Sequence, residues 1–381
     1  MFGGSRKMRI KKLLALVLCT VLSLLALVSC EKDVGAYLPN YNWKPEVIAE
    51  KEFDLYIITD SDIETVDSSV FVTVEDKINQ YIGDKYHTTL NIHYLTADEY
   101  ETEIAAVTSA EGKNSGIVLI NSKALADTLI ANKALADLSV FLDSAEYDFG
   151  TLNVQINSNL LEVARETVKD ADGENETEAL FCIPNNHVIG SYEYIAINKK
   201  IARDQLHYNE TELKALDNLD DIADFISYAA SKGFEADDVV IRFEGEDSKP
   251  YSFAEKTELE AAGWIFNVIA TPKVTKEEVY SSAFGVLAGT DGYERAMEII
   301  YAINTDSVLR NLLQYGVENT NYKNVDGYAV PITTDYKMNI LYTGDVFKAL
   351  FSNTEGWCVW TATDAANGKL QNADSVVADS E

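Results

Sequence analysis

Basic residues are scarce in this chain. Thirty-one Lys and Arg stand against 62 Asp and Glu, a formal net charge of −31. So acidic a surface repels phosphate backbones, which argues against nucleic-acid binding. It also argues against a protein lying flat on anionic lipid. The excess acid reads as a solvated face that keeps the chain soluble and monomeric. Histidine is rare as well: His87, His93, His187 and His207 are all there are, and none stands in an H-E-x-x-H arrangement. No cysteine pair has zinc-ligand spacing. There is no G-x-S-x-G elbow and no glycine-rich phosphate loop. The usual signatures of metal, serine and nucleotide enzymes are therefore missing, and neither a cofactor nor a catalytic set is expected. Asp170-Ala171-Asp172-Gly173 lacks the third spaced oxygen ligand and closing glutamate of an EF-hand, so it reads as a solvated turn.

What is present begins at the amino end. Arg6, Lys7, Arg9, Lys11 and Lys12 precede Leu13–Val28, an almost wholly apolar run of 16 residues. That run is shorter than the roughly 20 residues that span a bilayer comfortably. A basic start, a short apolar core and small residues are the parts of a secretory signal. Leu27-Val28-Ser29-Cys30 resembles the bacterial lipobox, which implies cleavage before Cys30 and acylation of its thiol. Without residues 1–29 the chain keeps 352 residues, with 26 basic against 62 acidic side chains, a charge of −36. That length makes two domains the natural prior. Cys182 and Cys358 then remain. Cys182 sits in the apolar run Leu180-Phe181-Cys182-Ile183 and reads as a buried free thiol.

Glu31–Lys51, with Gly35, Pro39 and Pro45, reads as a tether. Strands and helices then alternate. Phe53–Thr59, Leu90–Leu95 and Gly116–Ile120 read as strands; Val70–Tyr86, Ala97–Ser109 and Lys123–Asn132 read as helices. This alternation predicts a parallel, helix-covered sheet. Ligands bind such sheets at the carboxyl ends of the strands, here Thr59-Asp60-Ser61-Asp62, Thr96 and Asn121-Ser122. A second α/β region follows, with a strand at Ser191–Asn198, a helix near Leu219–Lys232, a strand at Asp238–Arg242 and a helix over Phe253–Ala270. Glu277–Gly289 reads as extended, and helices follow over Asp291–Asn304 and Asp306–Tyr315, the latter stopped by Gly316.

Three stretches in this order carry a family likeness. The first is the lipobox with its tether and opening strand. The second is Leu180–Asn198, where a strand ending in Ile183-Pro184 returns to Tyr194-Ile195-Ala196-Ile197-Asn198-Lys199. The third is Glu294–Lys323, with Tyr315-Gly316-Val317-Glu318 and the later Tyr322. Together they resemble the extracellular solute-binding lipoproteins of bacterial ABC importers, of the sugar-binding kind. Tyr336–Gly344 is similar to the subgroup related to oligosaccharide binders. The resemblance implies a two-lobed α/β clamp like that of periplasmic binding proteins, each lobe a mostly parallel sheet flanked by helices, with a hinge between. The implied division is a signal over 1–29, a tether over 30–52, a first lobe over 53–185 resumed at 276–314, and a second lobe over 186–275 resumed at 315–381. The implied function is capture of a sugar or oligosaccharide by lobe closure and delivery to ABC permease subunits, outside the cytoplasmic membrane and held there by lipid alone. A surface-anchored carbohydrate-active hydrolase or a non-transport scaffold is the alternative, because any pair among 62 acids could serve a glycosidase.

Candidate ligand residues follow from strand ends and the crossover. Asp60 and Asn121 end strands and could hydrogen-bond sugar hydroxyls or cap the next helix. Asn186 and His187 lie at the crossover and read equally as ligands or as turn residues holding a hinge. Tyr192 shares one side of an extended segment with Tyr194 and could be core or a stacking platform. Trp264, read within a helix, and Phe284, in the returning extended segment, are further rings. Rings and planar amides suit sugars, whose faces are apolar C–H surfaces fringed by hydroxyls.

Overall fold

The strand β1 (Lys51–Ile58) is apolar without interruption over its second half, so it can be covered on both faces, and Leu55, Ile57 and Ile58 are buried. The computed structural model describes residues 49–109, 112–143, 149, 152–169, 176–190, 192–244 and 259–378. The signal, the cleavage site at Cys30, most of the tether and the acidic turn around Asp172 lie outside the described residues.

The chain divides into two compact units, 1–37 with 167–177, and 38–166 with 178–381. Of the first, the described residues belong to β4 (Arg165–Lys169) and β5 (Glu176–Leu180), which pair with each other. Everything below concerns the second unit.

β1 pairs in parallel with β2 (Thr88–Leu95), Leu55 opposite Ile92, and with β3 (Ile117–Ile120), Leu55 opposite Ile117. β11 (Ala283–Val286) runs antiparallel between β3 and β6 (Ile183–Pro184), giving the order β2-β1-β3-β11-β6. Four of the five strands thus share one direction. Helix α1 (Ser69–Tyr86) buries Val74, Ile78 and Ile82, the i, i+4, i+8 stripe of one face. α2 (Ala97–Val107) begins at Thr96 with a capping box to Glu99, and α3 (Lys123–Ala131) is capped by the Ser122 hydroxyl, which accepts from the Leu125 amide at 3.2 Å.

The second sheet has the order β8-β7-β9, from β7 (Glu193–Asn198), β8 (Val240–Glu244) and β9 (Trp264–Ala270), and every pairing in it is antiparallel. This departs from the expected mostly parallel second sheet. Of the expected helix over Phe253–Ala270, only residues 259–261 are helical in the described part: Trp264–Ala270 is a strand, and Trp264-Ile265-Phe266-Asn267-Val268 alternates less buried and buried positions, the period of a strand. Helix α4 (Leu219–Ser231) supplies Ile222, Phe225 and Ala229 to this core, which otherwise draws on Ile195, Ile197, Leu213 and Ile265. Asn267 is buried there because its amide donates to the Leu213 and Leu216 carbonyls at 2.7 and 2.9 Å.

Two chain segments cross between the sheets, and they run side by side. Phe284 pairs with Ile183 at one end, Ala270 with Glu193 at the other, and the Asn185 amide donates to the Ser282 carbonyl at 2.8 Å between them. Gly190 has φ +49°, and a Cβ there would press on the backbone of Lys273 in β10 (Lys273–Val274), on the second crossing.

After α5 (Tyr293–Thr305) and α6 (Ser307–Tyr315), residues 315–378 build a third cluster around Tyr315, Tyr322, Trp357 and Trp360. Its attachments differ from the expected second-lobe placement. Among the described residues none of it joins the core of the second sheet. It grips the end of β1 through Lys337, and α7 (Ala362–Asp374) grips the crossing, where the Asn372 carboxamide donates to the His187 carbonyl and accepts from the Ile189 amide at 2.9 Å. Cys182 and Cys358 are both buried free thiols. Among the described residues no helix is long and apolar enough to cross a membrane.

Candidate functional site

The carboxyl end of β1 is built to hold one loop. The Thr59 hydroxyl and the Asp60 amide donate to the Lys337 carbonyl at 2.9 and 3.0 Å, and the Lys337 amide donates to the Ser61 hydroxyl at 2.8 Å. These bonds use the polar groups around Asp60 but not the carboxylate of this exposed residue. Partial burial raises the Asp60 pKa, and the Lys337 charge opposes that shift. Ile120 pairs with Ala283, so Asn121 and Ser282 follow as neighbours in register. The Asn121 carboxamide oxygen is buried and has no hydrogen-bond partner among the described residues, and its amide interacts with the Tyr342 hydroxyl. Tyr342 is half-buried; burial raises its pKa, with the Asp60 charge adding to the rise. An exposed carboxylate, an unpartnered amide oxygen, a lysine and a half-buried phenol thus lie on the ends of β1 and β3 and on the loop that Thr59 and Ser61 hold there. Such a set can accept and donate hydrogen bonds around one apolar ring face, which fits a neutral polyhydroxylated solute.

Among the residues proposed from sequence, Asp60 and Asn121 come together here through Lys337 and Tyr342. The others do not join them. Asn186 is buried in the crossing, donating to the Gln155 carbonyl and accepting from the Asn157 amide, both at 3.2 Å. His187 is buried between the Val188 and Glu278 carbonyls, 3.0 and 3.2 Å from its ring nitrogens, and burial pulls its pKa down to about 4. Both therefore hold the crossing. Tyr192 is half-buried and donates to the Asp374 carboxylate at 2.6 Å. Trp264 opens β9 opposite Asn198, the end of β7 farthest from the crossing. Phe284 is fully buried between β3 and β6, so it is core rather than a stacking ring.

Lys337 and Tyr342 were missed. Tyr336–Gly344 resembles a family stretch, but nothing in its local pattern says that it folds onto the end of β1, where Thr59 lies 278 residues before Lys337. That placement depends on Asp345 and Arg310. Asp345 is buried, and its carboxylate accepts from the Phe347 amide at 2.8 Å beside the Asn186 carboxamide. Burial pushes its pKa up to about 6, against the help of that amide, Asn186, Lys348 and Arg310.

A raised carboxyl pKa means that the native state keeps a proton which the unfolded chain releases. Asp345 therefore favours folding below about pH 4, and this contribution is lost as pH rises through about 6. Asp345→Asn should match the parent at pH 4 and exceed its stability by about 1–3 kcal/mol at pH 7. Denaturant melts of both proteins at the two pH values check this, and equal differences at both would refute it.

Among the described residues no group of three or more His, Cys, Asp or Glu side chains could hold a metal ion. No protein-family model and no curated protein sequence matches the chain. Solved structures do. The N-glycan transport solute binding protein NgtS from Streptococcus pneumoniae superposes with a TM-score of 0.53 at 15% identity, over 87% of this chain and 84% of that one. Its complex with Man5GlcNAc gives 0.50 at 15% identity, over 86% and 83%, and its complex with Man1GlcNAc gives 0.50 at 15% identity, over 86% and 84%. At this identity the likeness establishes the fold, the α/β architecture of solute-binding proteins.

Proposed function

We propose that this chain is the extracytoplasmic solute receptor of an ABC importer, anchored by a lipid on Cys30, and that it captures a sugar or oligosaccharide. In this reading the first lobe is built on the β2-β1-β3-β11-β6 sheet and the second on β8-β7-β9. The paired crossings are the hinge, and the solute seats on Asp60, Asn121 and Tyr342. The observation that carries the reading is the set of groups at the ends of β1 and β3, lying where an open α/β sheet presents its ligand site. The solute class is supported by the mixed character of these groups, in which one carboxylate and one ammonium offset each other beside an amide and a phenol. It is supported also by the neighbour of like fold, crystallised with Man1GlcNAc and Man5GlcNAc.

A thermal-shift panel of Man1GlcNAc, Man5GlcNAc, maltooligosaccharides and short peptides tests the solute class, since a ligand that binds only the native state raises its melting temperature. A saccharide at 100 times its Kd should add about 2.7 kcal/mol of stability. A shift with peptides alone would overturn the sugar reading. Cys30→Ala should abolish fatty-acid labelling in a bacterial host, and labelling that persists would place the anchor elsewhere.

A further inference from the structure

Asn185 and Ser282 are each the residue at which a crossing segment leaves the first sheet: Asn185 directly follows β6, and Ser282 directly precedes β11. Both are fully buried, and their polar groups close a network. The Asn185 amide spends its two hydrogens on the Ser282 hydroxyl and the Leu341 carbonyl, each at 3.0 Å. The Ser282 hydroxyl in turn donates to the same Leu341 carbonyl. The Asn185 carboxamide oxygen accepts from the Asn304 amide at 3.2 Å, and Asn304 is itself fully buried on α5. One backbone carbonyl of the loop, directly before Tyr342, is therefore held by donors from both crossings at once.

The rest of the loop is tied to α6. The Gln314 amide donates to the Met338 carbonyl at 2.7 Å, and the Arg310 guanidinium donates to the Ile340 and Asp345 carbonyls at 3.0 and 3.1 Å. Gly344 closes the short 3-10 turn Ile340–Thr343 at φ +108°, where a Cβ would run into the Ile303 carbonyl. The turn cannot drift toward α5, so the Leu341 carbonyl is the point at which the crossings reach it. Buried donors with no other acceptor in reach fix a position more tightly than apolar contact does, because breaking one leaves a polar group unsatisfied.

We propose that Asn185 and Ser282 are positioning residues that couple the two crossings, through the Leu341 carbonyl, to the Tyr342 ring, so that the ring's place beside Asn121 depends on how the crossings are set. The proposal rests on the solute-receptor reading for its functional meaning. Its structural content stands apart from it. A hinge whose segments also hold the loop of a contact ring lets solute distinguish two settings of the crossings, which is what a ligand needs in order to shift their balance.

The test uses the full chain with Asn185→Ala, Ser282→Ala, Tyr342→Ala and the Asn185→Ala/Tyr342→Ala pair. Hydrogen exchange is followed by mass spectrometry in segments 336–345, 117–120 and 193–198. Either hydroxyl or amide deletion should speed exchange in 336–345 at least tenfold while the two strand segments stay at the parent rate. Ser282→Ala removes one hydroxyl from a filled site, so it keeps the question open to test where Asn185→Ala fails to fold. Affinity for Man5GlcNAc should fall roughly ten- to hundredfold in Asn185→Ala, and the double variant should bind no more weakly than Tyr342→Ala alone. Unchanged exchange in 336–345 in both single variants overturns the proposal, as does a double variant whose losses simply add. If the parent does not bind Man5GlcNAc, the choice of solute fails and the exchange experiment still decides the coupling.

Discussion

Replacing Phe284 by alanine should lower the stability of the chain by about 3–5 kcal/mol, the range for removing a large ring from a closed core. The ring is wholly buried in β11, with β3 on one side and β6 on the other. Nothing can collapse into the vacated space without disturbing strands on both sides. Affinity measured well below the melting transition should change less than threefold, because Phe284 does not reach the ends of β1 and β3. Denaturant unfolding paired with calorimetry separates the two effects. A stable variant with lost binding would restore Phe284 to the role of a stacking ring.

Arg310 should be the other sensitive position. It is fully buried on α6, and none of its hydrogen bonds among the described residues goes to a carboxylate. It serves instead the carbonyls of Asp345 and Ile340 and, at 3.4 Å, the Gln314 side chain. Burial lowers its pKa, and the nearby Tyr315, Cys358 and Asp345 oppose this. Arg310→Met would relieve the cost of burying charge but would leave those acceptors bare, each at about 1–3 kcal/mol, so a net loss of about 2–4 kcal/mol is expected. Arg310→Lys should recover little of it, since an ammonium cannot reproduce the planar fork that meets separated acceptors. Urea melts of the two variants against the parent decide this, and a lysine variant as stable as the parent would show that charge alone matters.

Much of the first sheet was legible in the sequence. Strands with continuous apolar runs, such as Ile117–Ile120, and helices with a clean apolar stripe, such as α1, announce themselves through local period alone. The caps at Thr96 and Ser122, where α2 and α3 begin, are likewise local features. Trp264–Ala270 was misread because an apolar run of seven does not distinguish strand from helix, and the choice is made by pairing with β7. The proposed site was only half legible. Asp60 and Asn121 follow from a rule about strand ends, whereas Tyr342 gets its place from buried bonds to residues far away in sequence. The same separation explains His187 and Asn186: polar residues at a crossing look like ligands until their hydrogen-bond partners are known, and here those partners are the protein's own backbone.

The position of β11 bears on how the chain acquires its structure. Ile120 and its partner Ala283 are 163 positions apart, and every residue between them must be available before the first sheet can close. Until then β3 offers a fully apolar edge with its backbone groups unpaired, a template for association with other chains. Pairings of such long sequence separation form slowly, because loop closure must precede any gain from contact. A chain interrupted anywhere before Ala283 would therefore aggregate rather than leave a smaller folded body, and the amino-terminal half has no route to a finished sheet of its own.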